Sequence, residues 1–403
     1  MTATVTADWS YWRVLRSGRL GVLLAGSMIS SVGNGMIITA LPLLALRLRG
    51  QIPGGAAIAL VEAAPYVLAS VLAVTLGLSR LRLPPRALLI GDSLLRGVVF
   101  VLLGMLAVSG ALTLWMLAVV LLVGSVFQIA AMSGRRLVAT GMTEPPGQLA
   151  VNGLLGISGS LAAYTIGPLA GGVVSAAASP GDALIVDGLT FFVMLAGACL
   201  AAPVRARPAG ETGPESGLRI LRRIPAAARL LTVVFFFNLF YMPVEVALPL
   251  LVRGPLHGNA AGLGIIWAGF GAGALLGGMG TMLLRRFRRE LVLTVIIAAW
   301  GLAVVLLAAS PSVLAATGSF FLGGLLYAPF TPIAYTYVQS MLTPDQQQPV
   351  LALWSAASVL AGPLGLAVAG PLVSGAGTQA SLIVSAVLIL ALAPLAGVGL
   401  LRR

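Results

Sequence analysis

Residues 40–44 read Ala-Leu-Pro-Leu-Leu, and the same five residues return at 247–251, an offset of 207. Two more strings return in the same order at an offset of 203. They are the pair Gly77 and Arg82, which returns as Gly280 and Arg285, and residues 167–169 (Gly-Pro-Leu), which return at 370–372. Concordant spacing of three short matches indicates that the second half of the chain repeats the first.

The residues between these landmarks are strongly apolar. Hydrophobic residues make up 59% of the 403 residues and charged residues only 9%, and the mean hydropathy is +1.04. A soluble domain carries roughly 25% charged residues. The composition therefore predicts a protein whose main solvent is a lipid bilayer.

Twelve apolar stretches are long enough to cross a hydrocarbon core, which takes about 20 residues. We place them at 20–46, 55–79, 87–107, 112–134, 149–177, 182–203, 230–252, 261–284, 291–309, 312–340, 350–374 and 378–400. Because no water reaches that depth, every backbone amide must bond within its own segment, and such segments are helices.

The sequence thus predicts an all-α, polytopic membrane protein with twelve transmembrane helices in two pseudo-symmetric six-helix halves. The longest polar stretch divides them, so we expect an N-terminal half at 1–204, a linker at 205–229 and a C-terminal half at 230–403. Internal repeats of this size are typical of secondary transporters.

The arginines indicate the orientation, because cytoplasmic loops retain basic residues. With the N-terminus inside, twenty arginines fall in the cytoplasm, three face out (Arg47, Arg49 and Arg253), and Arg96 lies within a span. We expect a multi-pass protein of the bacterial cytoplasmic membrane with both termini in the cytoplasm. This distribution explains the net charge of +13 without nucleic-acid binding, which we do not expect.

Several residue types are scarce. The chain has no lysine, one histidine (His257) and one cysteine (Cys199). A phosphate-binding Gly-Lys loop, a Schiff-base lysine, a histidine metal cluster, a Ser-His-Asp triad and an intrachain disulfide are therefore not expected. We predict a monomer that is not an enzyme and holds neither a metal nor a cofactor. Energy would come from an ion gradient.

The chain resembles the major facilitator superfamily, and in particular its bacterial efflux branch related to the enterobactin exporter. The fifth span carries Gly167-Pro168-x-x-Gly171-Gly172 with Gly159 eight residues upstream, which is similar to the antiporter motif of drug and proton exchangers. Other similar strings are Ser31-x-Gly33 before Ala40-Leu41-Pro42, Ala150-Val151-Asn152, and Asp187-Gly188-Leu189-Thr190-Phe191-Phe192.

Other family positions differ. The gate loop between spans two and three usually reads Gly-x-x-x-Asp-Arg-x-Gly-Arg-Arg in this superfamily. Here Gly77, Arg82 and Arg86 remain, with Gly280 and Arg285 as their counterparts in the second half, but Leu81 replaces the acid. The fourth span lacks the usual arginine, and Asn34 stands where relatives often have an acid.

Two acids lie deep in the spans. Glu62 and Glu245 are each about eight residues from the outer end of a predicted helix, or roughly 12 Å at ~1.5 Å per residue. A charged carboxyl in hydrocarbon costs several kcal/mol, so a retained one is a candidate functional group. We predict that both carry protons, with Glu245 preferred. The alternative is that each bonds a neighbouring helix that is opened by Pro243 or Pro65.

Three other charged residues lie within spans. Asp92 and Arg96 are four apart on one helix face, the spacing of an intrahelical ion pair. We expect this pair to be structural. Asp187, near the start of its span, is expected to reach the membrane interface.

Aromatic residues cluster in spans seven and ten. The resemblance places both helices at the central cavity, which predicts an apolar or aromatic substrate. The predicted cavity residues are Asn34, Gln128, Phe237, Asn238, Tyr241, Tyr327, Phe330 and Tyr335. Lipid-facing rings and ordinary packing remain an alternative, because a helix turns some of five near-consecutive rings outward.

These expectations describe a secondary transporter that exports a small amphipathic or aromatic, drug-like compound in exchange for protons. Its partners would be that small molecule, protons and the lipid bilayer. The alternatives are an exporter of a siderophore or natural product, an uncoupled facilitator, and a membrane sensor or scaffold that no longer transports.

Overall fold

The computed structural model describes residues 11–78, 84–144, 147–201 and 216–397, in which the regular elements are helices. They are α1 (Tyr11–Leu15), α2 (Gly18–Leu48), α3 (Gly54–Leu78), α4 (Pro85–Val108), α5 (Leu114–Gly124), α6 (Gln128–Gly141), α7 (Gln148–Ile157), a π-helix (Ser158–Ile166), α8 (Gly167–Ala177), α9 (Pro180–Leu200), α10 (Gly217–Arg223), α11 (Pro225–Arg253), α12 (Ala260–Gly280), a 3₁₀ helix (Thr281–Arg286), α13 (Arg289–Ala308), α14 (Val313–Gln339), α15 (Pro344–Ala376), α16 (Thr378–Leu390) and α17 (Ala393–Gly397).

The predicted all-helical membrane architecture is confirmed. Ten helical stretches of the described residues are long and apolar enough to cross a membrane, and two shorter apolar helices, Gly54–Leu68 within α3 and Leu114–Gly124, occupy the second and fourth predicted spans. The fourth span is not one straight helix. Residues 125–127 interrupt it and separate α5 from α6.

Four helices begin with a capping side chain in a short loop. Thr113, Ser179, Asn259 and Ser312 each accept a hydrogen bond from the backbone N–H three residues later, at 3.0–3.3 Å. Such caps satisfy amides that the first turn of a helix leaves unpaired, a contribution of about 1 kcal/mol each. All four caps lie at the same end of the bundle.

The helices pack in two groups. In the N-terminal group, α2 lies against α8 and α9, and α4 lies against α9. In the C-terminal group, α12 packs against α14, and α13 packs against α14 and α16. We call α2–α9 the N-terminal half and α11–α17 the C-terminal half. The division at 205–229 stays a prediction, because residues 202–215 lie outside the described ranges.

The two halves meet through α3 with α15 and α8 with α12. We call the end of the bundle with the loop 49–53 the arginine-poor end and the opposite end the arginine-rich end. At the arginine-poor end, the Ala56 amide of α3 donates a 3.1 Å hydrogen bond to the Ser374 hydroxyl of α15. A Cβ on Gly172 of α8 would lie 3.0 Å from the Gly264 Cα of α12.

Three glycines towards the arginine-rich end lie in open space. A Cβ on Gly156 or Gly159, or on Gly278 of α12, would find no atom of a neighbouring element within 4 Å. The contacts between the halves therefore close the arginine-poor end and continue to the middle of the bundle, where the π-helix packs against Gly271 of α12.

Candidate functional site

A cavity of about 200 Å³ lies between the two halves. Residues of α2, α3, α4, α5, α6 and the π-helix line it on the N-terminal side, and residues of α11 and α12 on the C-terminal side. Its polar and aromatic lining consists of Asn34, Glu62, Tyr66, Arg96, Phe100, Ser125, Gln128, Tyr164, Glu245 and Trp267. The structure thus brings four predicted site residues together: Glu62, Glu245, Asn34 and Gln128.

Irregular helix geometry shapes the cavity wall. The interruption at 125–127 carries Ser125 and precedes Gln128, so both side chains come from a place where the helical ladder breaks. The π-helix supplies Tyr164, and helices containing a proline supply residues beside Pro42, Pro65 and Pro249. Such features bend a helix and are frequent at functional sites.

The two acids come from opposite halves. Glu62 belongs to α3 and Glu245 to α11, and each lies eight residues from the end of its helix at the arginine-poor end. The Glu62 Oε2 atom is buried without a hydrogen-bond partner. The Tyr241 hydroxyl donates a hydrogen bond to the Glu245 carboxylate. Whether the acids carry protons or bond a helix that proline has opened stays a prediction.

Arg96 is the cation that lines the cavity. Its Nη2 donates to the Asn34 Oδ1 at 2.7 Å, and its guanidinium lies 4.3 Å from the ring centroid of Phe191 and 5.6 Å from that of Phe100. Stacking on two rings and an amide acceptor stabilise the guanidinium in this apolar setting. Asn34 therefore orients Arg96 as well as lining the cavity.

Asp92 and Asp187 lie behind Arg96 in the N-terminal half. Asp187 is 0% exposed, so the expectation that it reaches the membrane interface is wrong. Thr190 donates to the Asp187 Oδ1 at 3.4 Å, and the absence of a side chain at Gly33 leaves room for both groups. The predicted Asp92–Arg96 pair is not made as a close contact: Arg96 turns to Asn34, and the Asp92 Oδ1 has no hydrogen-bond partner.

The buried charges of the N-terminal half balance. Arg135 donates a hydrogen bond to the Ser27 hydroxyl at 3.3 Å. It also interacts electrostatically with Asp92 and Arg96. Two arginines and two aspartates thus share one buried region, which lowers the electrostatic cost of each. The two glutamates in the cavity have no comparable set of cations among the residues that line it.

Most of the predicted aromatic residues do not line the cavity. Phe237 and Phe330 are 0% and 2% exposed and lie 4.7 Å apart. Phe237, Tyr327 and Tyr241 pack around Trp300 in the core of the C-terminal half. Tyr335 packs against Trp354, and Asn238 bonds the Val234 carbonyl of its own helix. The alternative of ordinary packing describes these residues, apart from the contact between Tyr241 and Glu245.

The sequence interpretation missed four aromatic residues that line the cavity, namely Tyr66, Phe100, Tyr164 and Trp267. Tyr66 and Tyr164 are each 44% exposed, and their surface is open to the cavity. Neither lies in an aromatic cluster, so counting rings did not find them. The signal for Tyr66 was its position four residues after Glu62, which places both on one helix face.

The motif glycines are packing positions. Side chains on Gly167 or Gly171 would collide with α2, and one on Gly172 would collide with α12. Pro168 accepts a 3.3 Å hydrogen bond from Thr39 through its carbonyl. Gly159 lies about two turns away in open space. These contacts give the antiporter string a structural role at the junction of α2, α8 and α12.

The predicted gate residues are placed in part. Arg86 begins α4 and donates to the carbonyls of Ala198 and Cys199 at the end of α9. Gly77 lies in the last turn of α3, Gly280 ends α12, and Arg285 lies in the 3₁₀ helix that follows. Arg82 falls outside the described residues. Among the described residues there is no group of three His, Cys, Asp or Glu side chains that could hold a metal ion.

No protein-family model matches the chain. The multidrug efflux pump Tap of Mycolicibacterium fortuitum is 27% identical over 389 residues, covering 91% of this chain and 92% of the pump. Among solved structures, the nucleoside transporter NupG has a TM-score of 0.78 at 14% identity, covering 96% of this chain and 100% of that one.

A bacterial homologue of the human lysosomal transporter Spinster, solved in an inward-facing and unoccupied conformation, has a TM-score of 0.72 at 14% identity, covering 95% and 96% of the two chains. These proteins are transporters and not enzymes. The likeness shows that the chain has the fold of these two solved transporters. The relation to the enterobactin exporter stays a prediction.

Proposed function

We propose that the protein exports small amphipathic or aromatic, drug-like compounds from the bacterial cytoplasm in exchange for protons. The observation that carries the proposal is the cavity between the halves, in which two carboxyl groups, Glu62 and Glu245, lie among aromatic rings. The similarity to pumps named multidrug efflux pump Tap supports export of drug-like molecules.

The cavity supplies the contacts that such a compound needs. Tyr66, Tyr164 and Trp267 offer ring faces and edges, and Gln128 and Ser125 offer hydrogen bonds that orient a bound molecule. Apolar walls with a few convergent polar groups are typical of small-molecule sites. This assigns substrate contact to rings of α3, the π-helix and α12 in place of most of those predicted in spans seven and ten.

Protons would drive export through Glu245. With the arginine-rich end in the cytoplasm, the open end of the cavity receives substrate there. Protonation of Glu245 from the opposite side would weaken its hold on the substrate. It would also favour return of the protein to the state that accepts substrate. Each proton that moves inward contributes about 2.3 kcal/mol per 100 mV, enough for roughly fortyfold accumulation at that voltage.

The test is transport by the purified protein in proteoliposomes with an imposed pH gradient and an internal pH-sensitive dye. Addition of a lipophilic fluorescent drug should produce a proton flux opposite to the drug flux. Glu245→Gln should abolish the proton flux while the protein still binds drug. Glu144→Gln is the matched control, because Glu144 is an exposed acid outside the cavity.

Two results would contradict the proposal. Drug transport that is indifferent to the pH gradient would indicate an uncoupled facilitator, which the missing acid at Leu81 would fit. Absence of any transport across a screen of drugs, natural products and siderophores would favour the sensor or scaffold alternative.

A further inference from the structure

Glu62 and Glu245 lie on opposite sides of the interface between the halves. Both are deeper in the bundle than the contacts that close the arginine-poor end. Eight residues separate each acid from that end of its helix, about 12 Å at ~1.5 Å per residue. Above them, α3 meets α15 where Ala56 bonds Ser374. A Cβ on Gly55 would lie 3.0 Å from the Gly370 carbonyl. Opening this end requires α3 to move away from the C-terminal half.

The two acids face one cavity and their charges act on each other. Two carboxylates that share a poorly solvated site repel when both are ionised, and a single proton relieves the repulsion. The Glu62 Oε2 atom is buried without a hydrogen-bond partner, so it offers an unoccupied acceptor. Glu245 has one donor, the hydroxyl of Tyr241.

The other charged groups nearby do not neutralise the pair. Arg96 of α4 is held by Asn34 and stacked on Phe191, with Asp92 and Asp187 close to it. The titratable groups that act on the acids or are acted on by them are the phenols of α3, the π-helix, α11 and α14, namely Tyr66, Tyr164, Tyr241 and Tyr327. At the arginine-poor end itself lie Arg47, Arg49, Arg253 and His257.

We propose that Glu62 and Glu245 hold a single proton between them, and that this proton keeps the arginine-poor end closed. The inference rests on the proposed function, because it takes Glu245 as a proton carrier, and it adds a mechanical role for Glu62. When the proton leaves, two negative charges on opposite halves repel and bias the halves to separate at that end.

This arrangement links protonation to the direction in which the cavity opens. Loss of the proton to the arginine-rich side weakens the closed seam and prepares the opposite end to open. Uptake of a proton from the arginine-poor side removes the repulsion and restores the closed state. Neither acid acts alone, because the repulsion exists only when both are present.

The experiment measures the distance across the arginine-poor end without any substrate. Spin labels are placed on Gln51→Cys and Gly375→Cys in a Cys199→Ser background, since residues 51 and 375 are exposed and lie in different halves. Double electron–electron resonance in nanodiscs is recorded from low to high pH. The ratio of long to short distances should rise with pH, by at most about tenfold per pH unit, the limit for one proton.

The acid variants give the decisive comparison. Glu62→Gln and Glu245→Gln should each remove the pH response and leave the short distance at every pH. Glu62→Asp should keep a response. Glu144→Gln, which changes an exposed acid at the arginine-rich end, and His257→Gln, which removes the only histidine, should both behave like the parent.

The proposal is overturned if the parent shows no pH response, if the response survives in either glutamine variant, or if His257→Gln abolishes it. Failure of the transport proposal is distinguishable. A protein that shows no proton-driven export, but whose distance still responds to pH through both glutamates, refutes the exchange mechanism and retains the shared proton.

Discussion

At the scale of single residues, the buried polar groups of the N-terminal half depend on space that glycine provides. Gly33 of α2 faces Asp187 and Thr190 of α9, and a Cβ at residue 33 would collide with both side chains. Asp187 is fully buried and lies close to Arg96, whose charge acts on it. Gly33 therefore controls the environment of the cation that lines the cavity.

The replacement Gly33→Ala should lower the free energy of unfolding by about 1–3 kcal/mol, the usual cost of overpacking. Chemical denaturation in detergent micelles measures this difference. Gly156→Ala is the matched control, because a Cβ there meets no atom of a neighbouring element within 4 Å. The control should be neutral or stabilising, by up to about 1 kcal/mol, since alanine favours the helix. Equal stability of the two variants would contradict the crowding at residue 33.

Residue identity predicted the two acids but not which rings accompany them. Glu62 and Glu245 could be selected from the sequence because a carboxyl in an apolar span is rare and expensive. The rings of α11 and α14 could not be oriented, because a helix that is apolar all round has no polar face to mark its direction. Phe237 and Phe330 consequently turned out to be core residues, while the isolated Tyr164 lines the cavity.

At the scale of helices, the apolar lengths in the sequence predicted the elements well. The stretch expected at 20–46 is α2, and the one expected at 350–374 lies within α15. The break at 125–127 and the π-helix at Ser158–Ile166 were not predicted. Neither segment contains a proline that would indicate an irregular helix. Both irregularities form part of the cavity wall, so the sequence identified the helices more readily than the shape of the site.

The contact between α8 and α12 gives a prediction at this scale. In Gly172→Ala, the new Cβ would lie 2.7 Å from the Ala260 carbonyl and 3.0 Å from the Gly264 Cα. The two helices must then separate, at a cost of about 1–3 kcal/mol. Because a 1.4 kcal/mol change is tenfold in population, drug transport in proteoliposomes should fall by about five- to 150-fold.

The spin-label pair at 51 and 375 should report a longer mean distance for the same variant. Gly159→Ala serves as its control, because it lies near the same motif in open space and should leave both the rate and the distance unchanged. A Gly172→Ala protein that transports like the parent would show that transport does not require close contact between α8 and α12.

At the scale of the whole molecule, the closed arginine-poor end defines one state of a two-sided carrier. Contacts of α3 with α15 and of α8 with α12 close that end, and the π-helix meets α12 nearer the middle of the bundle. If the arginine-rich end is cytoplasmic, this state accepts molecules from the cell interior. The orientation itself follows from the rule that basic loops remain inside and is open to direct measurement.

Reporter fusions test the orientation. Green fluorescent protein fused after Arg403, or inserted within residues 205–215, should fluoresce, and alkaline phosphatase at the same places should be inactive. Insertion into the loop that contains His257 should give the reverse pattern. Active phosphatase in the 205–215 segment would place the arginine-rich end outside and would reverse the proposed direction of transport.

The internal repeat in the sequence does not extend to the acids of the cavity. At the offset of 207 residues that relates Ala40 to Ala247, Glu245 corresponds to Ile38, and both line the same cavity. A protein with two identical halves would present equivalent chemistry to both faces of the bilayer. Here the repeat survives in the sequence landmarks, while the carboxyl of Glu245 has an apolar counterpart in Ile38. Loading and unloading can therefore be chemically distinct steps of one cycle.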